Sequence, residues 1–289
     1  MNLKDVINEG IRALSPLYPE REAREMVYAC LEKLIGTTRH THILQPDFNV
    51  NDEHIQIISE AFARMASGEP LQYVIGNAWF YGRSFNVSSD VLIPRPETEI
   101  LCREVLEQMK RTDGCRILDL CTGSGCIAWT LALEKAGAET VAVDISEGAL
   151  NVAQGQKFEE EMSQTGALRP RFVKADVLGQ PLAGLGSFDV LVSNPPYVME
   201  SEKALMRTNV LDHEPHLALF VSDDDPLVFY RAVAGWAEVM LRSGGYGIVE
   251  INEALASETE EIFRNHGFSE IRTIRDLNDK DRFVSFIRS

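Results

Sequence analysis

The segment 190–197 joins an apolar run to a tetrapeptide, Asn-Pro-Pro-Tyr, whose residue types could bind an amino group. Pro195 and Pro196 have no backbone N–H, so the loop offers mainly acceptors, among them the side-chain oxygen of Asn194. A planar –NH2 group carries two donors and fits such acceptors, while Tyr197 could pack on a flat conjugated group. Asn-Pro also commonly ends a strand, and taken alone the tetrapeptide is more typical of a plain turn.

A second group of residues is typical of a nucleotide-binding loop. The stretch Asp119-Leu-Cys-Thr-Gly-Ser-Gly125 follows an apolar run and precedes a helical segment. Gly123 and Gly125 let the backbone approach a ligand, and the helix start has free N–H groups. The next apolar run ends in Asp144, 19 residues after Gly125, where a carboxylate can accept both hydroxyl hydrogens of a ribose. Residues 123–128 also fit the G-x-G-x-x-A dinucleotide pattern, so NAD stays open as a ligand.

Together, the two groups would suit transfer of a group to nitrogen. An amide or aryl amine is a poor nucleophile because its lone pair is delocalised. Two hydrogen bonds to fixed acceptors can aim that nitrogen at an electrophile and favour the pyramidal geometry that it needs. The electrophile would be the methyl group of a sulfonium cofactor. No general base is needed before transfer, since the methylated nitrogen can lose its proton afterwards.

The elements that must position these residues alternate between strand and helix from Arg116 onward, which predicts an α/β fold with a doubly wound parallel sheet. The predicted strands are 116–120, 140–144, 171–175, 190–193 and 246–251, with a hairpin-like tail at 270–274 and 282–288. The predicted helices include 125–135, 146–160 and 226–241. Four polar residues lie at or just past strand ends, where open α/β sheets bind ligands: Asp119, Asp144, Asp176 and Asn194.

The N-terminal part has a different pattern, which predicts a small helical bundle. Apolar residues recur at helical spacing between Pro19 and Gly36, and a further helix is expected from an N-cap at Asn51 to Gly68. Residues 73–87 are rich in aromatic and β-branched types broken by glycines, which predicts a β-hairpin. We therefore predict a helical domain at 1–72, a β-hairpin linker at 73–95 and an α/β domain at 96–289.

Composition narrows the class of protein. The 289 residues have a net charge of −16, and no Lys/Arg cluster of the kind that binds nucleic acid is visible. No apolar run is long enough for a membrane span and no signal peptide is recognisable, so a cytoplasmic protein without a membrane partner is expected. The five cysteines form no C-x-x-C, and residues 212–216 lack H-E-x-x-H spacing, so no metal site is expected.

Longer motifs carry a family resemblance that extends over nearly the whole chain. They are Gly68-Glu-Pro-Leu-Gln-Tyr-Val-Ile-Gly76, Val91-Leu-Ile-Pro-Arg-Pro-Glu-Thr-Glu99, the 119–125 loop, Asn194-Pro-Pro-Tyr197 and Glu214-Pro-x-x-Ala-Leu219. The chain resembles a class I S-adenosylmethionine-dependent methyltransferase. Within that superfamily it is similar to the bacterial protein-(glutamine-N5) methyltransferases of peptide-chain release factors, the PrmC/HemK family. The Asn-Pro-Pro-Tyr motif is shared with amino-methylating DNA enzymes, whereas the second and fifth motifs are more particular to this family.

The resemblance implies a Rossmann-like fold, with a seven-stranded, mostly parallel sheet, and S-adenosyl-L-methionine as cofactor. The resemblance implies that the 121–125 loop would hold the methionine part of the cofactor and that Asp144 would bind its ribose. Asp176 and Val177 would line its adenine. The implied cofactor-binding residues are Asp119, Cys121, Thr122, Gly123, Ser124, Gly125, Asp144, Asp176, Val177 and Asn194.

The resemblance also implies the substrate, which would be the glutamine of the Gly-Gly-Gln motif in release factors. Asn194 and the carbonyl of Pro195 would accept hydrogen bonds from the glutamine amide, and Tyr197 would pack on it. The implied catalytic residues are thus Asn194, Pro195 and Tyr197, with Pro196 completing the substrate-binding loop. The helical N-terminal domain would help to grip the release factor, and the protein is expected to be a monomer without sequence-specific nucleic-acid binding.

Some positions depart from the family pattern or allow two interpretations. Cys121 stands where many relatives have glycine, Val177 where some have an aromatic residue, and residues 223–226 replace a glycine-containing turn. Arg95 and Glu97 fit either an active-site wall or a linker salt bridge. Two alternative functions stay open: an N6-adenine-type nucleic-acid methyltransferase with the same loop, and a non-catalytic nucleoside- or NAD-binding module.

Overall fold

The computed structural model describes residues 1–109 and 114–289, which divide into two units. The first unit contains Met1–Asn77 and Met206–His213, and the second contains Ala78–Leu205 and Glu214–Ser289. Within the two described ranges, no helix combines the length and the apolar character needed to cross a bilayer.

The first unit begins with five helices that pack around a core of aliphatic side chains, Phe62 and Met65. They are α1 (Leu3–Leu14), α2 (Glu20–Ile35), α3 (Thr41–Leu44), α4 (Asp52–Ala66) and α5 (Leu71–Ile75). Helix α4 starts where the sequence predicts, because the Asn51 side chain accepts a hydrogen bond from the His54 N–H over 2.8 Å. Helix α2 follows Pro19 and ends at Gly36, whose φ of 69° suits a glycine.

A two-stranded sheet, β1 (Asn77–Phe80) with β2 (Arg83–Asn86), forms the predicted hairpin. The hairpin is shorter than the predicted stretch 73–87, since its first residues belong to α5. Pro70 precedes that helix and Gly76, with a φ of 72°, ends it. Local capping thus outweighs the strand propensity of Tyr73, Val74 and Ile75.

The second unit alternates strands with helices around one large sheet. Its helices are α6 (Thr98–Gln108), α7 (Cys126–Glu134), α8 (Glu147–Gln154) and α9 (Glu159–Thr165); then, after α10 (Thr208–His213) of the first unit, α11 (His216–Leu219), α12 (Val228–Met240) and α13 (Ala256–Asn265). Its strands are β3 (Arg116–Leu120), β4 (Glu139–Asp144), β5 (Arg171–Lys174), β6 (Phe188–Ser193), β7 (Val198–Met199), β8 (Phe220–Val221), β9 (Leu241–Glu250), β10 (Phe268–Arg275) and β11 (Asp281–Arg288).

Seven of these strands form the sheet, in the order β10-β11-β9-β6-β3-β4-β5, while β7 and β8 pair separately. The five strands from β9 to β5 run parallel, and β11 is antiparallel to both of its neighbours. The prediction of a seven-stranded, mostly parallel sheet is therefore confirmed. Alternate residues of each strand face opposite sides: Ile117 packs in the core that contains α6 and α7, and Leu118 in the core that contains α12 and α13.

Two further predicted elements differ from the structure in extent. The helix predicted at 146–160 is two helices, because α8 ends at Gln154, before Gly155, and α9 begins only at Glu159. Strand β9 begins five residues earlier than predicted, at Leu241, and passes through Gly244 with a φ of 76° beside an irregularity in its pairing with β6. A glycine inside a strand marks such an irregularity, which period-two patterns do not reveal.

Candidate active site

The site lies where the order of the sheet reverses. From β3 the chain adds β4 and β5 on one side, while β6 and then β9 lie on the other. Such a reversal leaves a crevice at the carboxyl ends of the central strands, which is where open α/β sheets bind ligands. The Ser193 hydroxyl donates to the Leu120 carbonyl over 2.8 Å and ties the ends of β6 and β3 together. A cleft of about 1110 Å³, including its part open to solvent, lies at this edge.

Most of the site residues expected from the sequence line this one cleft. They are Cys121, Thr122, Gly123, Ser124, Asp144, Asp176, Val177, Asn194 and Pro196. Four expected residues are not among the lining: Asp119, Gly125, Pro195 and Tyr197. Each of the four is joined to a lining residue: Gly125, Pro195 and Tyr197 by the chain, and Asp119 by the hydrogen bond that it accepts from Thr122.

Asp119 is fully buried under the loop that follows β3. The Thr122 hydroxyl donates to its Oδ2 over 2.6 Å, while Oδ1 has no hydrogen-bond partner among the described residues. Burial raises the pKa of this carboxyl to about 7, against the lowering effect of the Thr122 hydrogen bond. Asp119 therefore holds the shape of the loop and does not present its carboxylate to the cleft.

Asp144, at the end of β4, faces the cleft and is held by two backbone groups. Its Oδ2 accepts from the Gly123 N–H over 2.8 Å, and its Oδ1 accepts from the Ser146 N–H over 2.9 Å. Burial raises the pKa of the carboxyl, and the backbone hydrogen bonds oppose that rise. Each carboxylate oxygen has a second lone pair, so both can still accept a hydroxyl hydrogen of a ribose.

The loop between β3 and α7 requires unusual backbone angles. Gly123 and Gly125 have φ of 55° and 78°. A Cβ at Gly123 would meet nothing within 4 Å, so that glycine leaves open space on the cleft side. Cys121, where many relatives have glycine, has a φ of 61°, which costs a residue with a side chain about 1–2 kcal/mol. The departure at Cys121 is thus a strain in the backbone as well as a change of side chain.

The end of β5 differs in one respect from the implied adenine site. The Val177 side chain is 3% exposed and packs in the core, although the residue borders the cleft. Ile145 and Leu178 also line the cleft and are 44% and 48% exposed, so they offer the apolar surface that a base needs. Sequence reasoning missed both residues. Their signal is their position, since Ile145 directly follows Asp144 and Leu178 directly follows Val177, both of them expected site residues.

Asn194 and Tyr197 are connected to two residues that sequence reasoning also missed. The Asn194 amide donates to the Thr98 hydroxyl over 3.3 Å, and that hydroxyl donates to Glu250 Oε2 over 2.8 Å. The Tyr197 hydroxyl donates to Glu250 Oε1 over 2.9 Å. Burial raises the pKa of Glu250, and it raises the pKa of Tyr197 well above its ordinary value.

Arg95 borders the cleft and also forms an ion pair, although its partner Glu214 lies outside the predicted linker. It lines the cleft, and its guanidinium donates to Glu214 Oε1 over 2.6 Å. Glu214 is buried, and its other oxygen accepts from the Ile93 N–H over 3.2 Å. The Pro-Arg-Pro segment is thereby fastened to the Glu-Pro segment. Glu97 directly precedes α6 and does not line the cleft.

The residues present fit a nucleoside cofactor. A carboxylate with free lone pairs, the open space at Gly123 and the exposed apolar side chains of Ile145 and Leu178 share one cleft. These features suit, in that order, the ribose of the cofactor, a part of the cofactor that lies close to the backbone, and its base. In the ranges that the structure describes, no group of three or more His, Cys, Asp or Glu side chains is arranged to hold a metal ion.

Comparison with known proteins agrees with the fold. Residues 98–217 match the Methyltransferase small domain, and residues 5–76 match the PrmC N-terminal domain. The class of protein is therefore an S-adenosylmethionine-dependent methyltransferase. A release factor glutamine methyltransferase of Flavobacterium psychrophilum is 33% identical over 98% of each chain, and one of Bacteroides thetaiotaomicron is 36% identical over 95% of this chain and 96% of its own. The chain belongs to the release factor glutamine methyltransferase family.

A solved structure supports the fold alone. The crystal structure of a methyltransferase from Pyrococcus furiosus aligns with a TM-score of 0.50 at 17% identity, over 80% of this chain and 99% of that one. The resemblance stated from the motifs is confirmed, and so is the cofactor that it implied. The individual roles of the site residues stay predictions.

Proposed function

We propose that this protein transfers a methyl group from S-adenosylmethionine to the side-chain amide nitrogen of a glutamine in peptide-chain release factors. The observation that carries the proposal is the shared cleft, in which Asn194 and the loop at 121–124 line the same cavity. Relatives that match along 98% and 96% of their own length carry the name of this activity. We place the reaction in the cytoplasm, where release factors act.

The substrate amide is bound by acceptors. The side-chain oxygen of Asn194 and the carbonyl of Pro195 accept the two hydrogens of the glutamine –NH2, and the ring of Tyr197 packs against the amide plane. Pro195 and Pro196 bring no N–H that would compete for these acceptors. Held in this way, the nitrogen is aimed along one direction and its lone pair is drawn out of conjugation. The nitrogen loses its proton to water after methylation, so the loop needs no general base.

The cofactor side of the cleft is assigned to the other predicted residues. S-adenosylmethionine, when bound, supplies a methyl group on a positively charged sulfur. Asp144 binds the two ribose hydroxyls, and the 121–125 loop holds the methionine part close to its backbone. We assign the base to the region of Asp176 and Val177, where Ile145 and Leu178 supply the exposed apolar contact. Asp119 maintains the loop through Thr122.

The helical N-terminal domain, residues 1–72 by sequence, is proposed to bind the release factor. Helix α3 supports this role, since its Ile43 and Leu44 are 65% and 77% exposed. Exposed apolar side chains next to one another are a common feature of surfaces that bind a protein partner. The glutamine to be methylated is that of the Gly-Gly-Gln motif, which is the substrate that the family resemblance implies.

The test is a methylation assay with labelled S-adenosylmethionine. The purified protein is incubated with a release factor, with the same release factor whose Gly-Gly-Gln glutamine is replaced by alanine, and with DNA and RNA oligonucleotides. Label on the intact release factor, mapped to that glutamine, is the expected result. Label on an oligonucleotide without label on the release factor would overturn the proposal and favour the nucleic-acid alternative. Label on both release factors alike would place the modified residue elsewhere.

A further inference from the structure

Glu250 is a carboxylate held almost entirely out of solvent at the end of β9, with 1% of its surface exposed. A buried carboxylate is stable only when hydrogen-bond donors surround it. Two hydroxyls supply them, since Thr98 donates to Oε2 over 2.8 Å and Tyr197 donates to Oε1 over 2.9 Å. One of these donors belongs to the Asn-Pro-Pro-Tyr loop, and the other touches the asparagine of that loop.

The contact with Thr98 determines which way the Asn194 amide faces. A threonine hydroxyl has one proton, and here it is directed to Glu250. The Thr98 oxygen is therefore available to Asn194 only as an acceptor, and the Asn194 Nδ2 donates to it over 3.3 Å. The –NH2 edge of Asn194 is thus directed to Thr98, and its carbonyl oxygen is left for a ligand in the cleft.

This orientation matters because the two edges of an asparagine amide have opposite hydrogen-bonding character. With the oxygen towards the cleft, Asn194 can accept from a substrate –NH2 group. If the side-chain amide were rotated by 180°, Asn194 would present its –NH2 group to the –NH2 group of the substrate. Two donors cannot form a hydrogen bond with each other. A carboxylate that fixes the proton of Thr98 therefore selects the state of Asn194 that can bind the substrate.

We propose that Glu250 is a positioning residue, which acts through Thr98 to orient Asn194 as an acceptor and which holds the ring of Tyr197 directly. This inference rests on the proposed function, because it concerns the residues assigned there to the substrate amide. Glu250 does not itself line the cleft, and its hydrogen bonds come from Thr98 and Tyr197. Its effect on the reaction is transmitted through the two hydroxyls.

The experiment compares Thr98→Val with Thr98→Ser. Valine keeps the shape of threonine and removes the hydroxyl, whereas serine keeps the hydroxyl. We expect Thr98→Val to lower kcat on the release factor by roughly 10- to 100-fold, and Thr98→Ser to remain within about threefold of the wild type. The Kd for S-adenosylmethionine, measured by calorimetry, and the KM for the release factor should change far less than kcat. Thr140→Val is the matched control, since the buried Thr140 hydroxyl has no hydrogen-bond partner within the described residues.

Glu250→Gln provides a second, independent variant. Its carboxamide cannot accept from both hydroxyls, so kcat should again fall by roughly 10-fold or more. Both changes interrupt the same hydrogen bond between Thr98 and Glu250. The loss of kcat in the double variant should therefore be much smaller than the product of the two single losses. If Thr98→Val does not fold, as judged by thermal unfolding, Glu250→Gln alone decides.

The outcomes separate the two proposals. In one outcome, the wild type methylates the release factor while the Thr98→Val and Glu250→Gln variants keep the wild-type kcat. That result overturns the positioning role and leaves the proposed function standing. Equal losses in Thr98→Val and Thr98→Ser, accompanied by weaker cofactor binding, also overturn it, since they show a purely structural role. A wild type that methylates no release factor overturns the proposed function, and the positioning role is lost with it.

Discussion

The backbone N–H of Gly123 donates to a carboxylate oxygen of Asp144 over 2.8 Å, which joins the loop after β3 to the end of β4. Because Ser146 donates to the other oxygen, the plane of the carboxylate is fixed before any ligand binds. A preorganised group of this kind loses little entropy on binding. The same contact makes the loop and the acid a single unit, so a change at one is expected to affect the other.

Asp144→Asn tests this unit. The amide keeps the shape of the carboxylate but replaces one of the two oxygens that accept backbone hydrogen bonds with an –NH2 group. Only its remaining oxygen can accept a hydrogen bond. We expect the Kd for S-adenosylmethionine to rise by roughly 10- to 100-fold, from lost charge-assisted hydrogen bonds. Calorimetry measures it, with Asp224→Asn, a change at an exposed acid away from the cleft, as the control. Equal affinity in both variants would contradict the ribose-binding role.

Asp119→Asn tests the buried carboxyl under the loop. Its pKa is raised from the ordinary 3.8 to about 7 by burial, so between these two pH values the folded state retains a proton that the unfolded chain has released. Stability contributed by the protonated acid is therefore lost as pH rises through this window. Asparagine resembles the protonated form, so the variant should become more stable than the wild type by an amount that grows towards pH 7.

The measurement for Asp119→Asn is urea unfolding of both proteins at several pH values from 5 to 8. The difference in the free energy of unfolding should widen with pH by on the order of a few kcal/mol and level off above pH 7. Thr122, whose hydroxyl donates to Asp119, keeps an oxygen acceptor in the variant. A difference that is constant over this range would show that the carboxyl ionises as it does in the unfolded chain.

The two glycines of the loop form a matched pair. A Cβ at Gly125 would lie 3.0 Å from the Ala153 Cβ and 3.1 Å from Trp129 Cδ1, at a φ of 78°. Gly125→Ala should therefore lower the free energy of unfolding by about 2–3 kcal/mol, from overpacking and backbone strain. Gly123→Ala should cost only about 1 kcal/mol, since its Cβ enters open space, but it should weaken cofactor binding because that space borders the cleft. Thermal unfolding and calorimetry on both variants distinguish the two effects, and identical profiles would contradict them.

Asn194→Ala separates binding from transfer. Loss of the acceptor should lower kcat by roughly 10²- to 10³-fold, while the Kd for S-adenosylmethionine remains within about threefold of the wild type. Asn151→Ala, at an exposed position of α8, is the control for the same substitution. Methyl transfer to the release factor is measured with the labelled cofactor. Unchanged turnover in Asn194→Ala would contradict the assignment of this residue as the acceptor for the substrate amide.

The position of Gly123 and Asp144 in one cleft could be predicted because the signals are local. Gly123 and Gly125 follow a strand directly, and Asp144 ends the next one, so strand periodicity and a short motif suffice to place them together. Predicting the position of Asn194 required one further rule, which is that the carboxyl ends of parallel strands meet at one edge of the sheet. The extents of elements were less predictable, as α5 shows, since a proline and a glycine made a helical turn from residues with strand propensity.

Tertiary structure alone decided how Asn194 is supported. Thr98 and Glu250 are 152 residues apart and come from the start of α6 and the end of β9, and nothing in their local sequence pairs them. The periodicity of the chain determined which residues face inwards and which strands exist, because burial acts residue by residue along each element. The direction of a hydrogen bond depends instead on the donors and acceptors that several elements bring within hydrogen-bonding distance of one another. That arrangement exists only in the folded chain, where it directs the –NH2 group of Asn194 to Thr98.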